Sequence, residues 1–427
     1  MLPGPVFLLR EGPIMRRRVV ITGLGLISPL SNQVNDCWTR MLNGESGIHP
    51  IRLFDVSDMR INFGGDVYDF DSSNYIDRKD EKRVDRFSQF AMVAGVDAVV
   101  DSGFDFSQIN PYRAGVVLGS GIGGLQTIEE QIAKLIKEGP HRVSPMTVPR
   151  MMLNAAGACL SIRYGLKGPN FSTATACASA TNAMGEALRL IQYGAADVIL
   201  TGGTEAAMTR MGLSAFQNMK ALSGRVDDPQ RASRPFDKDR DGFVLSEGAG
   251  ILVFEELELA KSRGARIYAE VVGFATTADG NHITQPDLEG TGAAESMRQA
   301  LDDAQLAPDK IDYINAHGTS TPLGDKAETV AIKKVFGSHA YKLSVSSTKS
   351  QLGHSLGASG GIELAVCCKS IEHSLVPPTI NLNTPDPDCD LDYTPNEPKP
   401  RTIEYAMSNS FGFGGHDASI IIRKYHD

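Results

Sequence analysis

One cysteine, Cys177, stands where a cysteine is able to act as a nucleophile. It lies in the run TATACASA at 173–180, after a short β-rich approach at 168–173. The residues that follow recur at helical spacing: Ala180, Ala183, Met184, Ala187, Leu188 and Ile191. The N–H groups and dipole at the start of a helix favour a thiolate, so the sequence predicts a lowered pKa for Cys177. The alternative is a buried apolar cysteine, which is a common environment for this residue.

Two histidines in the second part of the chain are candidate partners for this cysteine. His317 lies in NAHGTSTPLGD at 315–325, and His354 ends KSQLGH at 349–354. Each motif follows a strand-like run, and sites in α/β folds assemble at the carboxyl ends of strands. A lone histidine there is more often structural. Two of them in turns rich in Gly, Ser and Thr, together with Cys177, favour a Cys-His-His site.

The elements that must position these residues alternate between strand-like and helix-like runs. Such alternation predicts an α/β fold with parallel-rich sheets covered by helices. Two segments, 204–246 and 375–402, are crowded with turn-forming residues and are predicted to be irregular. The strand-like runs are 19–27, 114–118, 198–201, 250–254, 269–274, 311–315, 343–347 and 418–422.

The order of these elements repeats once along the chain. A strand approach, Cys177 and a helix in the first half correspond to a strand, a turn with His354 and a helix in the second half. We predict a break near residues 263–265, so that residues 16–264 carry the cysteine and residues 265–427 carry both histidines.

Residues 1–15 are predicted to be a leader or tail. The run MRRR at 15–18, followed by an apolar strand, is typical of the start of a domain. The segment before it has no charged region ahead of its apolar part and no small-residue cleavage site, so we expect no secretory signal.

Composition excludes several classes of protein. The 427 residues carry a formal net charge of -9 without a long Lys/Arg block, which argues against nucleic acid as the main partner. No apolar run approaches the roughly 18 residues of a membrane span. The six cysteines show no CxxC pair, so we expect no metal site and no disulfide framework, and a cytoplasmic protein.

Two glycine motifs indicate other chemistries. GSGIGG at 119–124 fits the dinucleotide pattern after a strand, but no strand ending in an acid follows about 20 residues later. GASGG at 357–361 fits the G-x-S-x-G pattern, but a turn containing His354 separates the strand from Ser359. We therefore predict no cofactor, and interpret Ser359 as a small packing residue at a helix start.

Four motifs, in order, resemble the signature blocks of the β-ketoacyl-acyl carrier protein synthases, the type II condensing enzymes of thiolase fold. The likeness extends from about Arg17 to Tyr425. It implies a thiolase-like, five-layered αβαβα fold with two pseudo-duplicated halves, and a homodimer. The motifs are TACAS at 175–179, NAHGTSTPLGD at 315–325, KSQLGH at 349–354 and NSFGFGG at 409–415.

The resemblance also implies roles for single residues. Cys177 would be the acylated nucleophile, and His317 and His354 the pair that handles malonyl decarboxylation. Lys349 and Glu363 would be a supporting ion pair, and the apolar run around Glu363 favours a buried pair over a solvated helix face.

Further positions follow from the same resemblance. Phe413 would be a gate beside the site, and its N–H and that of Cys177 would hold the acyl oxyanion. Thr319 and Thr321 would hydrogen-bond a pantetheine arm. Ile122 would border the acyl tunnel, with Met146 and Phe216 nearby. Asp417 departs from the family pattern, which usually has Asn or a neutral residue there.

The implied activity is a decarboxylative Claisen condensation that elongates an acyl chain on acyl carrier protein. Candidate contacts with that acidic carrier are Arg142, Lys220, Arg225 and Arg231. Alternatives are a polyketide-type ketosynthase, a Cys-His hydrolase and a non-catalytic partner subunit. A degradative thiolase is disfavoured, because the glycine loop at 411–416 lacks a second cysteine.

Overall fold

Every strand-like run of the sequence overlaps a strand in the computed structural model, which describes residues 16–426. The predicted leader at 1–15 lies outside the described residues. The strands are β1 (Val19–Ile27), β2 (His49–Pro50), β3 (Phe63–Gly64), β4 (Ala114–Gly119), β5 (Asn170–Thr173), β6 (Val198–Glu205), β7 (Gly248–Glu256), β8 (Ala269–Ala278), β9 (Tyr313–Asn315), β10 (Ser344–Ser346), β11 (Leu375–Val376), β12 (Lys399–Pro400), β13 (Tyr405–Gly412) and β14 (His416–Arg423).

Helices connect most of these strands. They are α1 (Val34–Leu42), α2 (Arg78–Glu81), α3 (Arg86–Ser102), α4 (Leu125–Glu138), α5 (Thr147–Met151), α6 (Ala155–Tyr164), α7 (Ser179–Gln192), α8 (Arg210–Asn218), α9 (Leu257–Ser262), α10 (Thr291–Ala304), α11 (Pro322–Phe336), α12 (Lys349–Leu352) and α13 (Ser359–His373).

Sheet topology repeats between the two halves. The main sheet has the order β10-β9-β13-β14-β8-β1-β7-β6-β4-β5, and the halves join where β1 pairs with β8. Counted within each half, both have the strand order 3-2-4-5-1. In each half the pairs 3-2 and 2-4 are parallel. The pairs 4-5 and 5-1 are antiparallel, so strand 5 runs against the other four. The duplication is therefore confirmed. The expectation of parallel-rich sheets is wrong for one strand of each half, β7 or β14.

Five layers follow from the three largest apolar clusters. Helices α7 and α13 pack together between the inner faces of the two halves of the sheet. Helices α3 and α6 cover the outer face of the first half, and α10 and α11 that of the second. Strand β7 shows why: its period of two residues directs Leu252 and Phe254 to the central layer, and Ile251 and Val253 to the outer one.

The sequence predicted that the segment at 204–246 is irregular, but the segment contains helix α8. Helix α8 begins after Thr209, whose hydroxyl accepts the N–H of Gly212. A Thr cap followed by apolar residues is a helix-start pattern that turn-forming residues further along the segment obscured. In the other predicted loop, β11 and β12 pair over two residues each.

The chain positions its chemistry-bearing residues just after strands of both halves. Cys177 follows β5, His317 follows β9, His354 comes after β10, and Phe413 follows β13. Within each half these strands are parallel, so the residues of that half lie at the carboxyl ends of its strands. The site therefore assembles from both halves.

Candidate active site

Cys177 lies in a strained turn between β5 and α7. The residue before it, Ala176, has a φ of 50°, in the left-handed region that side chains other than glycine rarely adopt. Ser179 holds the turn: its hydroxyl accepts the N–H of Thr175 at 2.9 Å and donates to the carbonyl of Ala176 at 2.7 Å. The turn places Cys177 at the start of a helix, as the sequence predicts.

The two histidines lie beside the cysteine. Nε2 of His354 is 3.0 Å from the Sγ of Cys177, and its Nδ1 is 3.1 Å from the hydroxyl of Ser359. The rings of His317 and His354 lie edge to face with centroids 5.4 Å apart. The structure thus brings together all three residues of the predicted constellation.

Both histidines are neutral at physiological pH. Burial lowers the pKa of His354 well below its ordinary value, and the nearby Lys349 lowers it further. Burial and Lys349 do the same to the pKa of His317, with a contribution from His354. A neutral imidazole has one N–H donor and one acceptor nitrogen, so each ring can donate to an oxygen in the pocket.

The lowered pKa predicted for Cys177 is wrong. Burial raises the pKa of its thiol to about 11, and the positive charge of Lys349 and the N–H groups of Phe413 and Cys177 oppose this only in part. The helix start does supply favourable N–H groups. The free-energy cost of removing the thiolate from water is larger than the stabilisation that these N–H groups provide.

Lys349 and Glu363 form the buried ion pair that the sequence predicts. Their side chains are each 2% exposed and in direct contact. Burial raises the pKa of Glu363, and the Lys349 charge opposes that rise. Lys349 is therefore a buried cation that acts on the cysteine and on both histidines.

A cavity of about 440 Å³ opens onto Cys177 and the two histidines. Thr319, Thr321 and Phe413 line it, as does the apolar side chain of Phe216. The two threonine hydroxyls are 3.0 Å apart, and that of Thr321 also caps α11 by accepting the N–H of Gly324.

Two residues expected at the acyl tunnel do not line this cavity. Ile122 packs instead into the apolar cluster that contains Cys177 and Phe243. Met146 lies at the start of α5, half-buried.

Within residues 16–426, one group of potential metal ligands lies close enough together to hold a metal ion. It consists of Cys177, His317 and His354. One ligand-capable atom of each lies within 4.8 Å of the others. Sulfur and imidazole nitrogen are zinc ligands.

The glycine motif at 119–124 is occupied by the protein's own carboxylate. Glu205, at the end of β6, is fully buried and accepts the N–H groups of Gly121, Ile122 and Gly123 at 2.7, 3.1 and 3.3 Å. Such a cradle of N–H groups is what a phosphate would need. The loop therefore binds a carboxyl group of the protein itself where a dinucleotide phosphate would bind.

Three functional contacts escaped the sequence analysis. Glu205 also accepts the N–H of Gly357 at 3.1 Å and so ties the first half to the loop of His354. Glu328 on α11 accepts the N–H groups of His317 and Gly318. Ser359 lies at a helix start, as expected, but it contacts His354 and is not merely a packing residue. No motif marks either glutamate: Glu205 contacts Gly357, which is 152 residues away, and Glu328 lies beyond the motif at 315–325.

The four candidate cations for a carrier differ in their environments. Arg142 pairs with Glu138, Arg231 pairs with Asp228, and Arg225 donates to the carbonyl of Asp239. Lys220 is exposed at the mouth of the cavity, and within the described part of the chain it forms no ion pair.

No helix between residues 16 and 426 is both long and apolar enough to cross a membrane.

The fold and site define a thiolase-like enzyme of the acyltransferase class, and comparisons with known proteins agree. The model of the β-ketoacyl synthase N-terminal domain matches residues 16–260, and that of the C-terminal domain matches residues 268–383. The chain belongs to the β-ketoacyl synthase family.

Named relatives are similar over nearly their whole length. The chain is 50% identical to 3-oxoacyl-[acyl-carrier-protein] synthase 2 of Synechocystis sp. over 410 residues, covering 96% of this chain and 99% of that protein. It is 48% identical to the protein of the same name from Coxiella burnetii, covering 96% and 100%.

Solved structures share the fold. A type II polyketide ketosynthase in complex with its acyl-carrier protein, AntDE:AntF, superposes with a TM-score of 0.90 at 36% identity, covering 96% of this chain and 100% of that one. A β-ketoacyl synthase from Burkholderia phymatum superposes equally well at 35% identity, with the same coverage of both chains.

Proposed function

We propose that the protein is a 3-oxoacyl-[acyl-carrier-protein] synthase of fatty acid elongation. It condenses an acyl group on Cys177 with malonyl carried by acyl carrier protein, giving 3-ketoacyl carrier protein and CO2. The observation that carries the proposal is the contact of Cys177 with His354, with His317 beside them at one cavity. The named relatives support the same activity.

In the first step Cys177 takes the acyl group by transthioesterification. The C–S bond to the carrier breaks, a C–S bond to Cys177 forms, and the thiol proton goes to the departing carrier thiolate. His354 Nε2, 3.0 Å from the sulfur, is placed to donate its N–H to the sulfur as the thiol gives up that proton. The N–H groups of Cys177 and Phe413, which act on the sulfur in the resting site, would hold the acyl oxyanion.

In the second step malonyl thioester loses CO2 and becomes an enolate. Neutral His317 and His354 donate N–H groups to the developing enolate oxygen, and a preorganised donor of this kind is worth about 3–4 kcal/mol. The enolate carbon then attacks the acyl carbonyl. A C–C bond forms, the C–S bond to Cys177 breaks, and the Cys177 thiolate that is released takes up a proton from water.

Lys349 and Glu363 support this chemistry without touching substrate. The Lys349 charge lowers the pKa of both histidines, which keeps them as neutral donors, and it favours the thiolate of Cys177. Glu363 compensates that charge in the protein interior.

The cavity suits a carrier-bound chain. Thr319 and Thr321 would hydrogen-bond the pantetheine arm, and Phe413 would gate its approach to Cys177. We propose that the acyl chain runs towards Ile122, which packs against the same apolar cluster as Cys177. Lys220 at the mouth would contact the acidic carrier.

We also propose a homodimer. Strand β5 ends the main sheet, so one of its edges has no partner strand within residues 16–426. An unpaired edge is a template for another chain. Exposed apolar residues are found on β5 itself and in the segment from α4 to α6 that precedes it in the chain. They are Ile132, Leu135, Ile136, Val148, Met152, Ile162 and Phe171.

Two further parts of the proposal concern organisation and location. Residues 16–264 and 265–427 would be the two halves, a division that falls between the two matched family models. The six cysteines are free, which supports a reducing compartment, the cytoplasm.

Intact-protein mass spectrometry tests the proposed activity. Wild type is mixed with acyl carrier protein bearing an acyl chain, and then with malonyl carrier protein. We expect an adduct on Cys177 that disappears as a 3-ketoacyl product two carbons longer forms. Cys177→Ala should give no adduct, while the control Cys159→Ala should behave as wild type. No adduct on wild type would favour a non-catalytic partner subunit, and repeated extension without reduction would favour a polyketide ketosynthase.

A further inference from the structure

The carboxyl group of Asp417 is buried at the cavity, with no role in the chemistry proposed above. It is the second residue of β14 and only 3% exposed. In the sheet it lies between Phe411 of β13 and Thr277 of β8. Its Oδ2 has no hydrogen-bond partner within residues 16–426. A buried carboxylate without a partner is costly, so this group needs a proton or a neighbour.

The nearest carboxyl group belongs to Asp279, just after β8. Oδ1 of Asp279 and Oδ2 of Asp417 lie 2.4 and 2.5 Å from the point that a Cβ on Gly292 would occupy. The two carboxyl groups therefore converge on Gly292. Oδ2 of Asp279 already accepts the N–H of Asp287 at 2.9 Å. Since two carboxylates have no hydrogen to share, a hydrogen bond between them requires one proton, and Asp279 is the better acceptor.

The surroundings of Asp417 favour that proton. The charged groups that act on it are Asp279 after β8, Asp287 in the next segment and Glu328 on α11, and all three are acidic. Burial, followed by these charges, raises the pKa of Asp417 to about 8. The side chain therefore holds its proton at neutral pH and loses it in mildly alkaline solution.

The Asp279–Asp417 pair joins two segments of the cavity wall. The glycine loop at 412–415 carries Phe413, and residues of the segment 279–290 line the cavity beside it. Their backbones meet twice: the N–H of Asp279 donates to the carbonyl of Gly415 at 2.9 Å, and that of Gly414 to Ile283 at 2.8 Å. Repulsion between two carboxylates at this junction would push the segments apart.

We propose that Asp417 is a positioning residue that keeps its proton and donates a hydrogen bond to Asp279, thereby holding the loop of Phe413 against residues 279–290. The inference rests on the proposed function for its effect on activity, but the contact itself does not. Above the pH at which the proton leaves, the loop loses this support and condensation slows.

The first test needs no substrate. Thermal unfolding of wild type and Asp417→Asn is measured from about pH 6 to about pH 9.5. The folded protein binds a proton that the unfolded chain has released, so wild-type stability falls as pH rises towards 8 and levels off above it. An Asn side chain donates at every pH. We expect the Tm advantage of Asp417→Asn to grow with pH, and Asp279→Asn to show the same trend.

The second test uses the condensation rate. Between about pH 7 and about pH 9 the protonated fraction of a group with this pKa falls about tenfold. The ratio of wild-type to Asp417→Asn rates should fall by a similar factor. The control Asp312→Asn replaces a carboxylate held by the N–H groups of Glu404 and Tyr405, and its ratio to wild type should be constant over this range.

Three results separate the outcomes. A Tm difference that is constant with pH overturns the inference. The inference is also overturned if added Na⁺, K⁺, Mg²⁺ or Ca²⁺ restores the Tm and the condensation rate of wild type at alkaline pH, because the pair would then hold a cation. A wild type without condensation at any pH, but with the expected Tm trend, overturns the proposed function and leaves the proton-sharing pair intact.

Discussion

The turns at 175–179 and 355–359 have the same backbone conformation and occupy corresponding positions in the two halves of the molecule. Ala176 and Leu356 both have a φ near 50°, at 50° and 48°. In both turns the fourth residue donates its N–H to the carbonyl of the first at 3.0 Å. Each turn leads into a helix of the central layer, α7 or α13.

The side chains make the two turns different. The first carries Cys177 at its third position, and its serine hydroxyl closes the turn upon itself. The second carries Gly357 there, because a Cβ would lie 2.4 Å from the nitrogen of Gly121 and 2.6 Å from Oε2 of Glu205. Its serine, Ser359, instead contacts His354. After duplication one turn presents the nucleophile, and the other positions the histidine that acts upon it.

The largest expected effect comes from making the first turn resemble the second. Cys177→Gly removes the sulfur while leaving a backbone that tolerates glycine in its partner turn. We expect the condensation rate to fall about 10³-fold or more, with little change in Tm. Steady-state product formation and thermal unfolding measure the two effects. A variant that retains most of its activity would contradict the assignment of the nucleophile.

The next largest effect concerns the cation that serves both turns. Lys349→Met leaves the Glu363 carboxylate buried without its partner, which should cost about 3–5 kcal/mol of unfolding free energy. Denaturant unfolding measures this cost. The double variant Lys349→Met/Glu363→Gln has no buried charge at this pair and should recover much of the loss. Equal destabilisation of the single and double variants would show that the ion pair is not what stabilises this region.

A methyl group in the second turn tests why it lacks a side chain. Gly357→Ala forces a Cβ against Gly121 and Glu205, and we expect a loss of about 1–3 kcal/mol in unfolding free energy together with slower condensation. The control is Gly224→Ala, whose Cβ would meet only Asp241 at 3.6 Å and should be nearly neutral. If both variants behave alike, close packing is not the reason for glycine at 357.

The smallest effects separate the two serines. Ser359→Ala removes the contact that orients the His354 ring through Nδ1. We expect about a tenfold slower condensation, because a hydrogen bond worth roughly 1 kcal/mol is lost. Ser179→Ala removes the bonds that close the first turn, and should lower the unfolding free energy by about 1 kcal/mol. Rates at saturating substrate and denaturant unfolding distinguish them. Two variants with the same pattern would mean that both serines serve only the backbone.

Local pattern was enough to predict most of the scaffold. Strand β1 has the bounds that the sequence indicates, and the repeated order of elements predicts the duplication, because both signals lie within short stretches of chain. The motifs likewise predicted that Cys177, His317 and His354 form one site. Helix α8 was missed, because turn-forming residues further along its segment outweighed a short apolar pattern.

Contacts between distant residues could not be predicted in the same way. Glu205 and Gly357, for example, are 152 residues apart in sequence. Neither glutamate that supports the site, Glu205 or Glu328, lies in a motif of its own. Their functions depend on which N–H groups the fold brings to them.

The sequence by itself determined which residue types occur at the strand ends, the sharp turn before α7 and the family to which they belong. Only the tertiary structure decided their protonation. Burial raises the pKa of Cys177 against the favourable helix start, while burial and the charge of Lys349 together keep both histidines neutral. The physical reason is that desolvation and Coulomb energies depend on distances and water access in the folded protein, which spacing along the chain does not specify.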